Sequence, residues 1–329
     1  MASERICLYF RQEPERDRWF PGDRHVRPFI RRLARGKPRP GGVEKVFINL
    51  CLGLDRQRIP YEVNVPFTRL RDGDQIAVLG RGRHSLEGYE RTYPVVAGIG
   101  LMTHPAEWPL LCEEYPVARY LQHSAWTNEI YRPYFGNRCT VWPAGIDTSA
   151  WLPGLIQSKT IDFLIYDKIL WNYERTRSEL LEPVRAALRR RGLKFREIRC
   201  GAYAPADYRE ALSRSRAMIF LAEHESQGLA CQECLASGVP VLAWDQGRWL
   251  DPNRYRWGTP DVAATSVPYW DERCGIKFRG AVDFPDKLQE FLDGLRSQRF
   301  APRDYIMENL TLERSARLFV DILSTVKHP

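Results

Sequence analysis

The sequence predicts an α/β protein of two domains, each a parallel sheet layered with helices, and three observations carry that reading. Residues 217–244 read as strand, loop, helix, strand. AMIFLA is an apolar run short enough for a buried strand, LACQECLAS is a run of fair helix formers stopping at Gly238 and Pro240, and VPVLAW is apolar again. Short apolar runs also recur along the rest of the chain, separated by turn residues and helical stretches, which is the rhythm of an α/β layer. Finally, 329 residues with 44% hydrophobic content suffice for two cores.

The elements follow in order. RICLYF is a first strand. A Gly41-Gly42 turn then opens a helix with apolar positions at Val43, Val46, Phe47, Leu50 and Leu54, followed by a strand in IPYEVNV. QIAVLG, YPVVAGIG, ARYLQHSAW and RCTVWPAGID supply further strands, with a helix over WTNEIYRPYF between the last two. A boundary is expected near residues 150 to 160, at LPGLIQSKT, dividing the chain into domains 1–155 and 156–329. The second domain begins with IDFLIY and continues through the helix ELLEPVRAALRRRGL, the strand FREIRC and the helix YREALSRSR. It closes on the amphipathic LTLERSARLFVDILSTV.

The segment AEHESQGLACQECLASGVPVLAW carries the chemistry. It places two carboxylates, Glu225 and Glu233, around a glycine at a helix start. Backbone N–H groups at Gly228 and Leu229, with the positive end of the helix dipole, suit a diphosphate, and glycine lets the phosphate come close. Glu233, one turn into the helix, cannot bind that phosphate but can accept hydrogen bonds from the vicinal hydroxyls of a ribose. Glu225, on the loop ahead, reaches the group beyond the phosphates, where a second set of hydroxyls suits it. The implied ligand is ribose, diphosphate and sugar.

Glu225-SQGLACQ-Glu233 followed by CLASGVPVLAW resembles the Glu-x7-Glu signature of retaining glycosyltransferase family 4. That resemblance implies the GT-B fold: two Rossmann-like domains facing a central cleft, with a C-terminal helix, here 311–327, crossing back onto the first. It implies transfer of a sugar from a nucleoside diphosphate sugar to a saccharide or lipid-linked acceptor, with retention, in polysaccharide or glycoconjugate synthesis. Gly42 is similar to the glycine-rich loop of the family's first domain, and VWPAGIDTSAW to the passage before its interdomain linker. Lys168 carries over as a diphosphate contact and stabiliser of the leaving group. The family's second cation, five residues on, is replaced here by Tyr173, with Arg175 and Arg177 nearby. His104 in GLMTHPAEWP is the candidate contact to the transferred sugar, His123 is a second, and His224 is a further donor contact beside the motif. The region between FREIRC and YREALSRSR is shorter than in the family, which bears on any base-binding loop around Gly201 and Tyr203.

An Asp-x-Asp motif of the kind that holds a metal-bound nucleotide sugar in the other major transferase fold is not apparent, so no metal or further cofactor is expected. Cys231 and Cys234 lack a partner pair at zinc spacing and read as core thiols. The eight cysteines are scattered and no secretory signal pattern is seen, so a cytoplasmic location is expected. The net charge of +8 concentrates in RHVRPFIRRLARGKPR, residues 24–39, with seven lysines and arginines and no acid. This segment suits an anionic membrane surface at the inner face, and equally a solvated loop or a contact to an anionic donor or acceptor. Nucleic acid is not an expected partner, because no binding module accompanies the charge. Two alternatives stand beside the transferase: a nucleotide-sugar hydrolase or epimerase, and a non-catalytic membrane-peripheral binding protein with a degenerate transferase fold.

Overall fold

The computed structural model describes residues 5–11, 40–155, 159–259 and 261–326; the basic segment 24–39 lies outside them. The chain forms two compact units. One holds the described residues of 1–122, 131–142 and 316–329, and the other those of 123–130 and 143–315.

The first unit carries a six-stranded parallel sheet in the order β2-β1-β3-β4-β5-β6. Its strands are β1 (Ile6–Tyr9), β2 (Tyr61–Val63), β3 (Gln75–Val78), β4 (Val95–Gly98), β5 (Val117–Gln122) and β6 (Cys139–Val141). Helix α1 (Gly42–Arg56) connects β1 to β2 and buries Val46, Phe47, Leu50 and Leu54, the face its 3.6-residue spacing marks out. Helix α2 (Leu111–Glu114) precedes β5, and α3 (Ala125–Phe135), which lies between β5 and β6 in the chain, belongs to the first unit only from Tyr131 onward.

The second unit carries a five-stranded parallel sheet in the order β11-β10-β9-β7-β8. These are β7 (Ile161–Lys168), β8 (Phe195–Arg199), β9 (Ser215–Ala222), β10 (Val241–Trp244) and β11 (Gly275–Phe278). The helices are α4 (Tyr173–Thr176), α5 (Glu182–Arg190), α6 (Pro205–Arg214), α7 (Leu229–Ala236), α8 (Asn253–Arg256), α9 (Phe284–Arg296) and α10 (Pro302–Asn309), and the last helix, α11 (Leu312–Ser324), belongs to the first unit from Ala316 onward. Alternate residues of the central strands feed two separate cores. Leu164, Tyr166, Met218, Phe220 and Val241 pack with Leu212 and Leu235 on one face. Phe163, Ile165, Ile219, Leu221 and Leu242 pack with Leu188 and Phe291 on the other. Burial on both faces is why these strands read as continuous apolar runs rather than alternating ones.

One helix departs from the expectation. The stretch beginning at Glu179 is not regular: residues Arg177–Leu181 widen into a π-helical turn before α5 resumes at Glu182. Pro183 explains the location, since it offers no N–H and its ring would strike the carbonyl of residue 179 in an unbroken α-helix. Cys231 and Cys234 are free thiols within the core that faces α7, and burial pushes both well above the ordinary thiol range.

Phe220 is fully buried at the centre of the second sheet. Phe220→Ala should cost about 3–5 kcal/mol in urea denaturation followed on the second unit's transition.

Candidate functional site

The site forms where the second sheet reverses its winding. From β7 the chain moves outward to β8, then returns to the other side of β7 as β9 and continues to β10 and β11. The loops leaving β7 and β9 therefore part beyond their carboxyl ends, the position at which open α/β sheets form a ligand-binding crevice. The register sets Lys168, the last residue of β7, opposite Ala222, the last of β9. Three residues further on, Glu225 turns back, and its Oε1 pairs with Lys168 Nζ at 2.5 Å. The two side chains are 25% and 11% exposed. Burial alone would lower the Lys168 ammonium, but the charge and hydrogen bond of Glu225 outweigh it and raise the group above its ordinary value.

The main chain of Glu225 is held on both sides. Its N–H donates to the Thr265 carbonyl at 3.0 Å, and its carbonyl accepts from Trp126 Nε1 at 2.9 Å. Thr265 is anchored in turn: its hydroxyl and the Ser266 N–H donate to Asp245, whose carboxylate also meets Lys277 Nζ at 2.9 Å. Glu225 is thus placed by a connected set of contacts from β9, β10 and β11.

Helix α7 begins directly after it. Gly228 is the N-cap in the left-handed conformation, φ 78°, so a side chain there would be strained. It stands against Glu225, whose Cβ would lie 3.6 Å from a Cβ added at Gly228. Entry to the helix is braced by two buried amides: Gln227 Nε2 donates to Gln232 Oε1 at 2.8 Å, and Gln232 Nε2 donates to the Gln227 carbonyl at 2.5 Å. The first-turn N–H groups, Leu229 foremost, have no acceptor within an α-helix, and glycine provides no side-chain cap to take their place. Glu233 lies one turn along and is buried, 4% exposed.

His224 is packed among tryptophans. Its ring stacks on Trp171 (centroids 4.9 Å, 28°) and meets Trp126 edge-on at 5.5 Å and Trp249 at 6.4 Å. Its Nε2 is buried and has no hydrogen-bond partner among the described residues. Burial lowers the imidazole to about 4, reinforced by Lys168 and opposed by Asp251, so the ring is neutral at physiological pH.

Lys168, His224, Glu225, Gly228, Leu229 and Glu233 all belong to the second unit, at the ends of β7 and β9 and the start of α7. Gly42 and His104 belong to the first. Gly42 opens α1 with nothing within 4 Å of an added Cβ. His104 is 1% exposed, and its Nδ1 accepts the Ala106 N–H at 3.1 Å as the cap of a short 3-10 turn. Burial lowers this imidazole too. His123 is buried, and its carbonyl accepts the Tyr269 hydroxyl. Tyr173, at the position of the family's second cation, donates its hydroxyl to Asp167 at 3.0 Å, with Arg199 stacked over its ring at 3.7 Å. Arg175 and Arg177 pair with Glu179 and Glu182 on the exposed helix surface. The tryptophans and Glu223, whose carboxylate accepts from the Leu170 and Trp171 amides, escaped the sequence reading. Trp126, Trp171 and Glu223 meet partners some fifty to a hundred residues away, and only the proximity of Glu223 and Trp126 to recognisable motifs could have signalled them.

No family model matches this chain, and no curated protein sequence matches it. Solved structures do. The chain is similar to AviGT4, a glycosyltransferase involved in Avilamycin A biosynthesis, at 15% identity over 98% of this chain and 97% of that one, TM-score 0.57. It is similar to a sucrose-phosphate synthase from Thermosynechococcus elongatus (11% identity, 98% and 99% covered, TM-score 0.53). It is likewise similar to the lipopolysaccharide outer core galactosyltransferase WaaB (10% identity, 98% and 99% covered, TM-score 0.52). The two parallel-sheet domains are those of the GT-B fold that these proteins share.

The neutral His224 generates a stability prediction. Its folded value, about 4, lies below the ordinary 6.5, so between those pH values the unfolded chain takes up a proton that the folded one refuses. The stability contributed is complete above pH 6.5 and is lost as pH falls toward 4. Urea denaturation at pH 7.5 and 5 should show a smaller loss in His224→Gln than in the native protein; equal losses would place the titration elsewhere.

Proposed function

We propose that this protein is a glycosyltransferase that moves a sugar from a nucleoside diphosphate sugar to a saccharide or lipid-linked acceptor, with retention at the anomeric carbon, in polysaccharide or glycoconjugate synthesis. The observation that carries the reading is the Lys168–Glu225 pair standing beside the Gly228 start of α7, at the switch point of a GT-B sheet. A cation, a helix N-terminus and a carboxylate are there gathered against one crevice. That set suits a ligand with a diphosphate at its centre and hydroxyls at both ends.

In this reading the diphosphate lies on the Gly228 and Leu229 amides and draws the Lys168 ammonium. Glu233 accepts the ribose hydroxyls. Glu225, released in part from Lys168, accepts hydroxyls of the donor sugar. His224, neutral and with an unpartnered Nε2, is the further donor contact; His104 is the candidate contact to the transferred sugar, and Gly42, in the first domain's glycine-rich loop, is a further donor contact. When the bond from the anomeric carbon to the diphosphate oxygen breaks, its electron pair stays on the diphosphate. Lys168 and the helix N-terminus are then more strongly engaged than in the ground state, which is the condition for lowering the barrier. The new bond forms from an acceptor hydroxyl, which passes its proton to the leaving diphosphate oxygen. These groups need no metal to neutralise the leaving diphosphate. No helix among the described residues is long and apolar enough to cross a membrane. Contact with a lipid-linked acceptor at the inner face is assigned to the basic segment 24–39 on its composition, seven lysines and arginines with no acid.

A panel of nucleoside diphosphates and their sugars tests the assignment, because a ligand that binds only the folded protein raises its melting temperature. One nucleotide should stabilise the native protein, and Glu233→Ala should weaken its binding by about 2–3 kcal/mol, the scale of hydrogen bonds to a charged acceptor. Glu225→Ala should keep nucleotide affinity while lowering turnover about a hundredfold. Full activity in that variant would remove Glu225 from the site, and sugar released without acceptor would mark a hydrolase instead.

A further inference from the structure

The turn that follows Lys168 is held by carboxylates of the protein itself. Asp167 Oδ1 accepts the Ile169 N–H at 3.0 Å. Glu223 Oε1 accepts the Leu170 N–H at 2.9 Å and the Trp171 N–H at 3.1 Å, and its Oε2 lies 3.2 Å from the Leu170 nitrogen. Three successive amides therefore converge on two carboxylates, and Asn172 closes the turn in the left-handed region, φ 48°. Successive N–H groups of this kind form a concave anion site, and here it is filled from within. Glu223 is 2% exposed, and its carbonyl accepts from Gln246 Nε2 at 3.1 Å, which ties it to the loop after β10 as well.

We propose that Glu223 is a positioning residue for the donor site: its buried carboxylate fixes the Leu170–Trp171 turn and so sets where Lys168 and the Trp171–His224 stack stand against Glu225. The inference rests on the glycosyltransferase reading for its functional consequence but not for its structural one. Glu223 lies two residues before Glu225 on the strand that delivers it, while the amides it holds lie two and three residues after Lys168. One side chain thereby couples the two halves of the crevice. Because the turn's amides are already taken, the diphosphate is left to Lys168 and the start of α7. A glutamine at this position keeps the shape and one accepting oxygen, but turns an NH2 group toward amides that can only donate.

The test uses the whole protein labelled with 5-fluorotryptophan, the Trp171 signal being assigned by its loss in Trp171→Phe. Glu223→Gln should shift the Trp171 resonance while leaving that of Trp142, in the core of the first unit, in place. It should also weaken binding of the nucleoside diphosphate that stabilises the native protein by about tenfold, the scale of one charge-assisted hydrogen bond. Glu223→Ala should do both more strongly. An unmoved Trp171 resonance in both variants would overturn the proposal, as would unchanged affinity once the resonance has moved. If no nucleotide binds even the native protein, the transferase reading fails, and the fluorine spectrum still decides whether Glu223 holds the turn.

Discussion

Everything in the second unit depends on the pairing of β7 with β9. These are its two longest strands, each of eight residues, and they are joined in register from Ile161 opposite Ser215 to Lys168 opposite Ala222. Both faces of the sheet are covered by helices, so the only surface it can offer a ligand is the row of strand ends. Because the sheet reverses its winding between these two strands, the following loops diverge there and nowhere else among its strands. A slip of one residue would exchange the two cores and turn Lys168 away from Glu225. The division of alternate side chains between the two cores is therefore what aligns charged groups outside the sheet.

The polar layer above the sheet is built with few loose ends. The Glu225 main chain is fixed by Thr265 and Trp126, the entry to α7 by the Gln227–Gln232 amides, and the turn after β7 by Asp167 and Glu223. Burial raises the Glu223 carboxyl, the more so for the nearby Asp167 charge, while the amides it accepts from work in the opposite direction. The tryptophans do comparable work with apolar surface, keeping His224 uncharged beside Lys168 and avoiding two adjacent cations.

Much of the architecture was legible in the sequence. Gly41-Gly42 with its apolar period marked α1, Gly238 and Pro240 marked the end of α7, and the unbroken run AMIFLA marked a strand buried on both faces. That Gly228 opens α7, with Glu225 ahead of it and Glu233 one turn in, was legible because the spacing is local. What escaped was set by contacts across the chain. That Lys168 and Glu225, fifty-seven residues apart, form one ion pair follows only from strand order and register. Glu223 looks like any polar residue at a strand end until the turn it holds is seen. The π-helical stretch ahead of Pro183 shows the reverse case, a local rule present in the sequence whose effect was to distort a helix rather than to end it.

The ion pair at the crevice has one more consequence, for discrimination among ligands. With Lys168 and Glu225 joined, the resting pair carries no net charge, and a small anion gains little by approaching it. Phosphate could draw the ammonium only by stranding the carboxylate, a cost it has no hydroxyls to repay. In the proposed reading, a ligand that presents an anion and hydroxyls together would satisfy both partners as it separates them, whereas a simple salt would not.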